Sequence, residues 1–232
     1  MQAYAQETFV TSGVVDTEER ATFIMRTYIH LFGAILLFAA IEVMLFRTGL
    51  AAPMAEAMLG VSWLLVLGGF MVVSWFASRA ALRAESKAAQ YAALVGFVIA
   101  EAIIFVPLLF IAAYYAGPGV INSAAWVTLL GFSGLTAVVF FTRKDFSFLG
   151  GILRWAFVVA LVMIVAAVLF GFELGTFFSV GMIALAGGAI LYDTSNILLH
   201  YPEDRYVGAS LQLFASVALM FWYVLRLFMS RR

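Results

Sequence analysis

Long apolar runs alternate with short polar or turn-forming breaks along most of this chain, and the runs are of similar length. Seven stand out, at 28–46, 58–76, 88–115, 121–142, 148–170, 174–199 and 206–229, with edges expected to hold to about three residues. Crossing a hydrocarbon core about 30 Å thick takes about 20 apolar residues in a helix, so each run predicts one membrane span. Lipid offers backbone amides no partners, which demands helices, and a β-barrel needs short alternating segments instead of these continuous runs. The expected fold is all-α, a polytopic membrane protein of seven transmembrane helices. Two regions are expected: a polar N-terminal tail at 1–22 and a seven-helix membrane domain at 23–232. The tail's acidic balance and its lack of an apolar stretch argue against a cleaved signal peptide. Asp16 followed by Glu19 marks a candidate helix start, since a short acceptor side chain can cap amides of a first turn.

Composition reinforces the pattern: 65% of the 232 residues are hydrophobic, 11% are charged, and mean hydropathy is +1.07. The chain has no cysteine, which removes disulfides, thiol nucleophiles and thiolate metal sites, and two histidines are too few for a histidine-rich metal centre. A formal net charge of zero, with no long basic block, sets nucleic-acid binding aside. The cations do distinguish the two ends of the spans. Arg20, Arg26, Arg79, Arg83, Lys87, Arg143, Lys144, Arg154 and Arg205 fall on one side, and Arg47, Arg226, Arg231 and Arg232 on the other. The richer side is expected to be cytoplasmic, which places the N-terminus inside and, after seven spans, the C-terminus outside.

Four charged residues, Glu42, Glu101, Asp193 and Arg226, fall inside the runs. A charge at mid-helix costs about 2.5–3.5 kcal/mol on insertion scales, so each should be paired or face a cavity. Glu42 lies close enough to the end of its span to reach Arg47 or water, and Arg226 is similarly near an end. Glu101 is near the middle of the third span, with Pro107 about two turns further on to loosen the helix. Asp193, Asn196 and His200 share helical spacing and form an expected polar stripe. Ala184, Gly187 and Gly188 precede them with the small-residue spacing that lets helix backbones approach, so the sixth span should pack inside the bundle. Gln212, Ser216 and Tyr223 share a face of the seventh span, which predicts a polar seam between the last two.

The stretches ERATFIMRTY, EAIIFVP (101–107), GLTAVVFFTRKDFSFLGG (134–151), GGAILYDTSNIL and SLQLFASVALMFWYVLRLF occur in an order and spacing that resembles the Bax-inhibitor (transmembrane Bax inhibitor motif) family. The resemblance covers nearly the whole chain. It implies a last helix surrounded by the other six. Members include pH-sensitive calcium leak channels, in which an aspartate matching Asp193 shares a proton with a second aspartate of the last helix, and an arginine matching Arg79 alternates as its partner. Two close carboxylates in a dry site cannot both ionise cheaply, which makes such a pair a proton switch. Ten residues before Arg226, where the family carries its second aspartate, this chain has Ser216. That serine, with the wording YDTS, resembles a bacterial branch that binds and restrains a membrane-anchored ATP-dependent protease, the N-terminal tail being the handle that the protease pulls.

Two enzyme readings are set aside on the residues. LYD at 191–193 is half of an intramembrane aspartyl protease site and lacks its second membrane aspartate. GFSG at 131–134 with His200 resembles a rhomboid-type pair, but the two fall at different depths, beyond the reach a base requires. No enzyme activity, no resident cofactor and no metal site are expected. Two functions of different class remain. One is a calcium leak through a path lined by Glu101, Asp193, Asn196 and Ser216, gated by protonation near Asp193 and its contact with Arg79, with calcium as the transported ion. The other is a non-transporting regulator of a membrane-anchored protease. In both, the chain sits in the bacterial inner membrane, in contact with lipid and expected as a monomer.

Overall fold

The structure, a computed structural model, describes the backbone of residues 2–230 and the side chains of residues 18–230. Among the described residues, eight α-helices follow one another: α1 (Gln2–Arg47), α2 (Ala51–Leu59), α3 (Trp63–Arg83), α4 (Lys87–Tyr115), α5 (Val120–Thr142), α6 (Leu149–Phe170), α7 (Gly175–Leu199) and α8 (Tyr206–Met229). One 3-10 turn, Glu203–Arg205, leads into α8. Among the described residues, seven helices are long and apolar enough to cross a membrane, all except α2.

Five spans lie close to the apolar runs; the first two do not. The first is expected from 28, but helix α1 already includes residues 18–27. The turns there are amphipathic, with Phe23 and Thr27 fully buried and Met25, Arg26 and Ile29 exposed, so a scan for unbroken apolar sequence passes them by. The second is expected at 58–76 and runs Trp63–Arg83. Residues 51–59 instead form the separate short helix α2, with Pro53 in its first turn and Gly60 at its end. No helix start lies at Asp16, because the backbone of α1 runs helically through that position from Gln2; Arg231 and Arg232 lie outside the described residues.

α8 is the centre of the bundle. It packs against α1, α3, α4, α5 and α7, and it and α4 are the most buried spans, at 61% of the apolar window each. Aromatic contacts tie the middle together: Phe105 meets Phe38 at 5.1 Å and Trp222 at 4.9 Å, both edge to face, and Phe97 meets Phe214 at 6.1 Å. Close approach depends on glycine at one crossing. A Cβ on Gly208 of α8 would lie 2.8 Å from the Ala81 carbonyl oxygen of α3. The sixth outer helix, α6, rests chiefly on α7 and touches α3 lightly. Both α3 and α6 have only 6% of their apolar windows buried. A cavity of about 1210 Å³ lies between α3, α4, α6, α7 and α8.

Candidate functional site

Small residues set the position of Asp193. Gly187 of α7 has Leu135 of α5 within 3.3 Å of where its Cβ would be, and Gly188 has Leu153 of α6 at 3.2 Å, so α7 sits deep between its neighbours; Ala184 faces outward. Asp193, two turns before the end of α7, is thereby only 8% exposed. Across the α7–α8 seam, the Ser216 hydroxyl donates a 2.5 Å hydrogen bond to Asp193 Oδ2, and Ser216 is itself 8% exposed. Gly150 lets α6 close over this place, since a Cβ there would lie 2.8 Å from the Tyr192 ring.

Asp193, Ser216, Glu101, Gln212 and Tyr223 all line the large cavity, so α4, α7 and α8 share one polar-spotted wall. Glu101 is 7% exposed, and among the described residues no side chain or backbone group bonds to it. Arg154 and Arg226 also line the cavity; Arg154 turns its Nε to the Gly150 carbonyl at 3.1 Å.

Arg79 is not brought to Asp193. Its guanidinium lies over the Trp75 ring, 5.2 Å from the centroid, and the residue is exposed. Trp75 is one turn back on the same helix, so the stacking is local. Among the described residues, no cation lies within 4.0 Å of the Asp193 carboxylate. Asn196 also stands apart from the cavity; its carbonyl accepts the amides of His200 and Tyr201, each at 2.8 Å. The expected stripe through His200 is broken because α7 ends at Leu199 and His200 leaves helical geometry, at φ −125°. Glu42 does not reach Arg47 or water. It is 7% exposed, and neither carboxylate oxygen has a hydrogen-bond partner among the described residues. Five positions apart on one helix, Glu42 and Arg47 point in different directions.

The basic end of the bundle is held by contacts that the apolar pattern does not reveal. His200 Nε2 lies 3.0 Å from Asp145 Oδ2. Asp145 Oδ1 accepts the Ser147 amide at 2.8 Å, and the Ser195 hydroxyl accepts the Phe146 amide at 2.9 Å. The Ser147 amide and side chain, His200 and Ser195 hold the Asp145 carboxylate below its ordinary value. Arg20 of α1 reaches the end of α7, with Nε donating to the Leu198 carbonyl at 3.1 Å and a terminal nitrogen to the Tyr201 carbonyl at 2.5 Å. The Leu198 carbonyl is one that a helix end leaves unpaired, and Tyr201 lies just past that end. Burial, with the Asp193 and Tyr192 charges, pushes the Tyr201 phenol up. Arg205 donates to the Ala84 carbonyl at 2.8 Å, and Lys87 donates to the Asp204 carbonyl. D-x-S at 145–147 is an Asx-turn pattern, the one signal in the sequence that could have marked this cluster.

Comparison with known proteins gives the same picture of kinship. The family described as inhibitor of apoptosis-promoting Bax1 matches residues 20–232. An uncharacterized protein of Pseudomonas aeruginosa is 37% identical over 115 residues, covering 48% of this chain and 50% of its own length. The modulator of FtsH protease YccA of Escherichia coli is 41% identical over 104 residues, 44% of this chain and 47% of that protein. An uncharacterized protein of Campylobacter jejuni is 30% identical over 230 residues, 93% of this chain and 92% of that protein. The match thus spans about half the length of the first two relatives and nearly all of the third.

Proposed function

This chain belongs to the Bax-inhibitor family, and from that premise we propose that it is a membrane regulator that binds a membrane-anchored ATP-dependent protease and slows its action. It catalyses no reaction in this reading. The observation that carries it is the partner of Asp193. A proton switch needs a second acid or a mobile cation beside the aspartate, and this chain supplies the Ser216 hydroxyl instead. A hydroxyl has no charge to gain or lose near neutral pH, so the pair acts as a fixed latch between α7 and α8. The likeness to the E. coli modulator of FtsH protease supports the same reading.

The contacts of the basic end support it further. Arg20, Lys87, Arg205 and the Asp145–His200 pair tie each connector there to a neighbour. The cavity lining ends at Gly150, Tyr192 and Asp193 and includes no residue of the connectors 84–87, 143–148 or 200–205. The reading places that end in the cytoplasm of a bacterial inner membrane, with the tail at 1–22 as the segment the protease grips and the C-terminus outside.

One observation favours a second reading, a calcium leak gated by protonation near Asp193: Glu101, Asp193 and Ser216 share a large cavity within the bundle. Calcium flux from liposomes holding the purified chain separates the two. The regulator reading expects flux at the level of empty liposomes from pH 6 to 8, together with co-purification of the protease that is lost when residues 1–20 are deleted. Flux above that background that is lost in Asp193→Asn would establish the leak instead.

A further inference from the structure

The cavity between α3, α4, α6, α7 and α8 holds two buried carboxylates with no ion-pair partner among the described residues. Its volume, about 1210 Å³, exceeds the roughly 300–1,000 Å³ usual for small-molecule sites. Three carboxylates line it, Glu101 and Asp193 buried at 7% and 8% exposure and Glu173 exposed, together with Arg154 and Arg226. Neither buried carboxylate has a cation within 4.0 Å among the described residues, and Glu101 has no hydrogen-bond partner among them. A buried carboxylate without an opposite charge is costly, so each is a place where an incoming cation is favoured.

The rest of the wall selects the kind of cation. Trp63 stacks on Trp222 with ring centroids 5.7 Å apart, and Trp222 meets Phe105 edge to face; all three rings line the cavity, as does Phe97. A small hydrated ion gains nothing from such a surface, whereas a cation carrying apolar groups gains burial and contact with aromatic faces. Access from the bilayer is consistent with the packing, because α3 and α6, which close one wall, are the least buried spans and touch only lightly.

We propose that this cavity binds a lipophilic organic cation, with Glu101 and Asp193 supplying the counter-charge and the Trp63–Trp222–Phe105 wall supplying the apolar surface. The site is independent of the protease reading and stands or falls without it.

Tetraphenylphosphonium is the probe, titrated into the purified full-length chain in lipid nanodiscs, with tryptophan emission as the signal and empty nanodiscs as the blank. Saturable quenching is expected, and the neutral triphenylphosphine oxide should bind at least about tenfold more weakly. Glu101→Gln and Asp193→Asn should each weaken phosphonium binding by about fivefold or more while leaving the weak binding of the oxide unchanged. Quenching that never saturates, equal affinity for the neutral compound, or unchanged affinity in both variants would overturn the site. Should a variant not fold, the comparison of charged and neutral compounds on the wild type decides alone.

Discussion

Replacing Ser216 by alanine removes one atom and one hydrogen bond from the α7–α8 seam. The Ser216 hydroxyl donates to Asp193 at 2.5 Å, and both residues are 8% exposed. Hydrogen bonds between membrane helices average about 0.6 kcal/mol and reach about 1.7. Burial on both sides and the carboxylate acceptor place this one near the upper limit, at about 1–1.7 kcal/mol. For a chain of this size, that loss lowers the thermal midpoint by roughly 2–7 °C. The assay is a double-mutant cycle on the purified protein in bilayer discs, with Ser216→Ala, Asp193→Asn and the double variant. Coupling of about 1 kcal/mol or more is expected between the two sites. A parallel cycle of Arg79→Ala with Asp193→Asn should show additivity within about 0.3–0.5 kcal/mol, because Arg79 is stacked on Trp75. Zero coupling to Ser216, or coupling to Arg79 larger than to Ser216, would refute the latch.

Gly208→Ala should destabilise the fold by about 1–3 kcal/mol, since the new methyl meets Ala81 and Leu82 of α3 at 2.8 Å; an unchanged thermal midpoint would contradict the close crossing. Arg143 ends α5 at φ 50°, a left-handed conformation that glycine adopts freely, so Arg143→Gly should raise stability by about 0.5–1 kcal/mol in the same melt. Asp145 has its value held down in the fold, so its contribution is complete above the ordinary aspartate value, about 3.9, and is lost as pH falls below it. Asp145→Asn should therefore weaken hydrogen-exchange protection of residues 143–148 at neutral pH, and the difference from wild type should begin to shrink only as pH falls below about 4. Reporters fused at residue 1 and residue 232 should lie on opposite sides of the membrane; reporters on one side would break the seven-span topology.

The spans were legible because each apolar run is long enough to cross a bilayer and is bounded by turn or charged residues. Where a helix is amphipathic, as at 18–27 and 77–83, the run ends before the helix does, and the limits of the first two spans shifted accordingly. α2 is too short to signal a span, and its Met58 and Leu59 were absorbed into the next one. At the site, helical spacing brought Asp193 and Ser216 to one seam because both helices are regular there. It misplaced His200, which lies past the end of α7, and Arg79, whose long side chain chooses its partner by rotamer and not by position. Trp75, four residues before Arg79, was the visible competitor. Asp145 and Ser195 lie 50 positions apart, a proximity that only the fold creates.

The central claim, restraint of a membrane-anchored protease, is tested most directly by a degradation rate. An FtsH-type protease is reconstituted in liposomes with a membrane substrate, ATP and increasing amounts of this chain. The account predicts that the initial rate of substrate loss falls as the chain is added and levels off at saturation, and that a chain lacking residues 1–20 leaves the rate unchanged. A rate that stays flat across the titration of the full chain would contradict it.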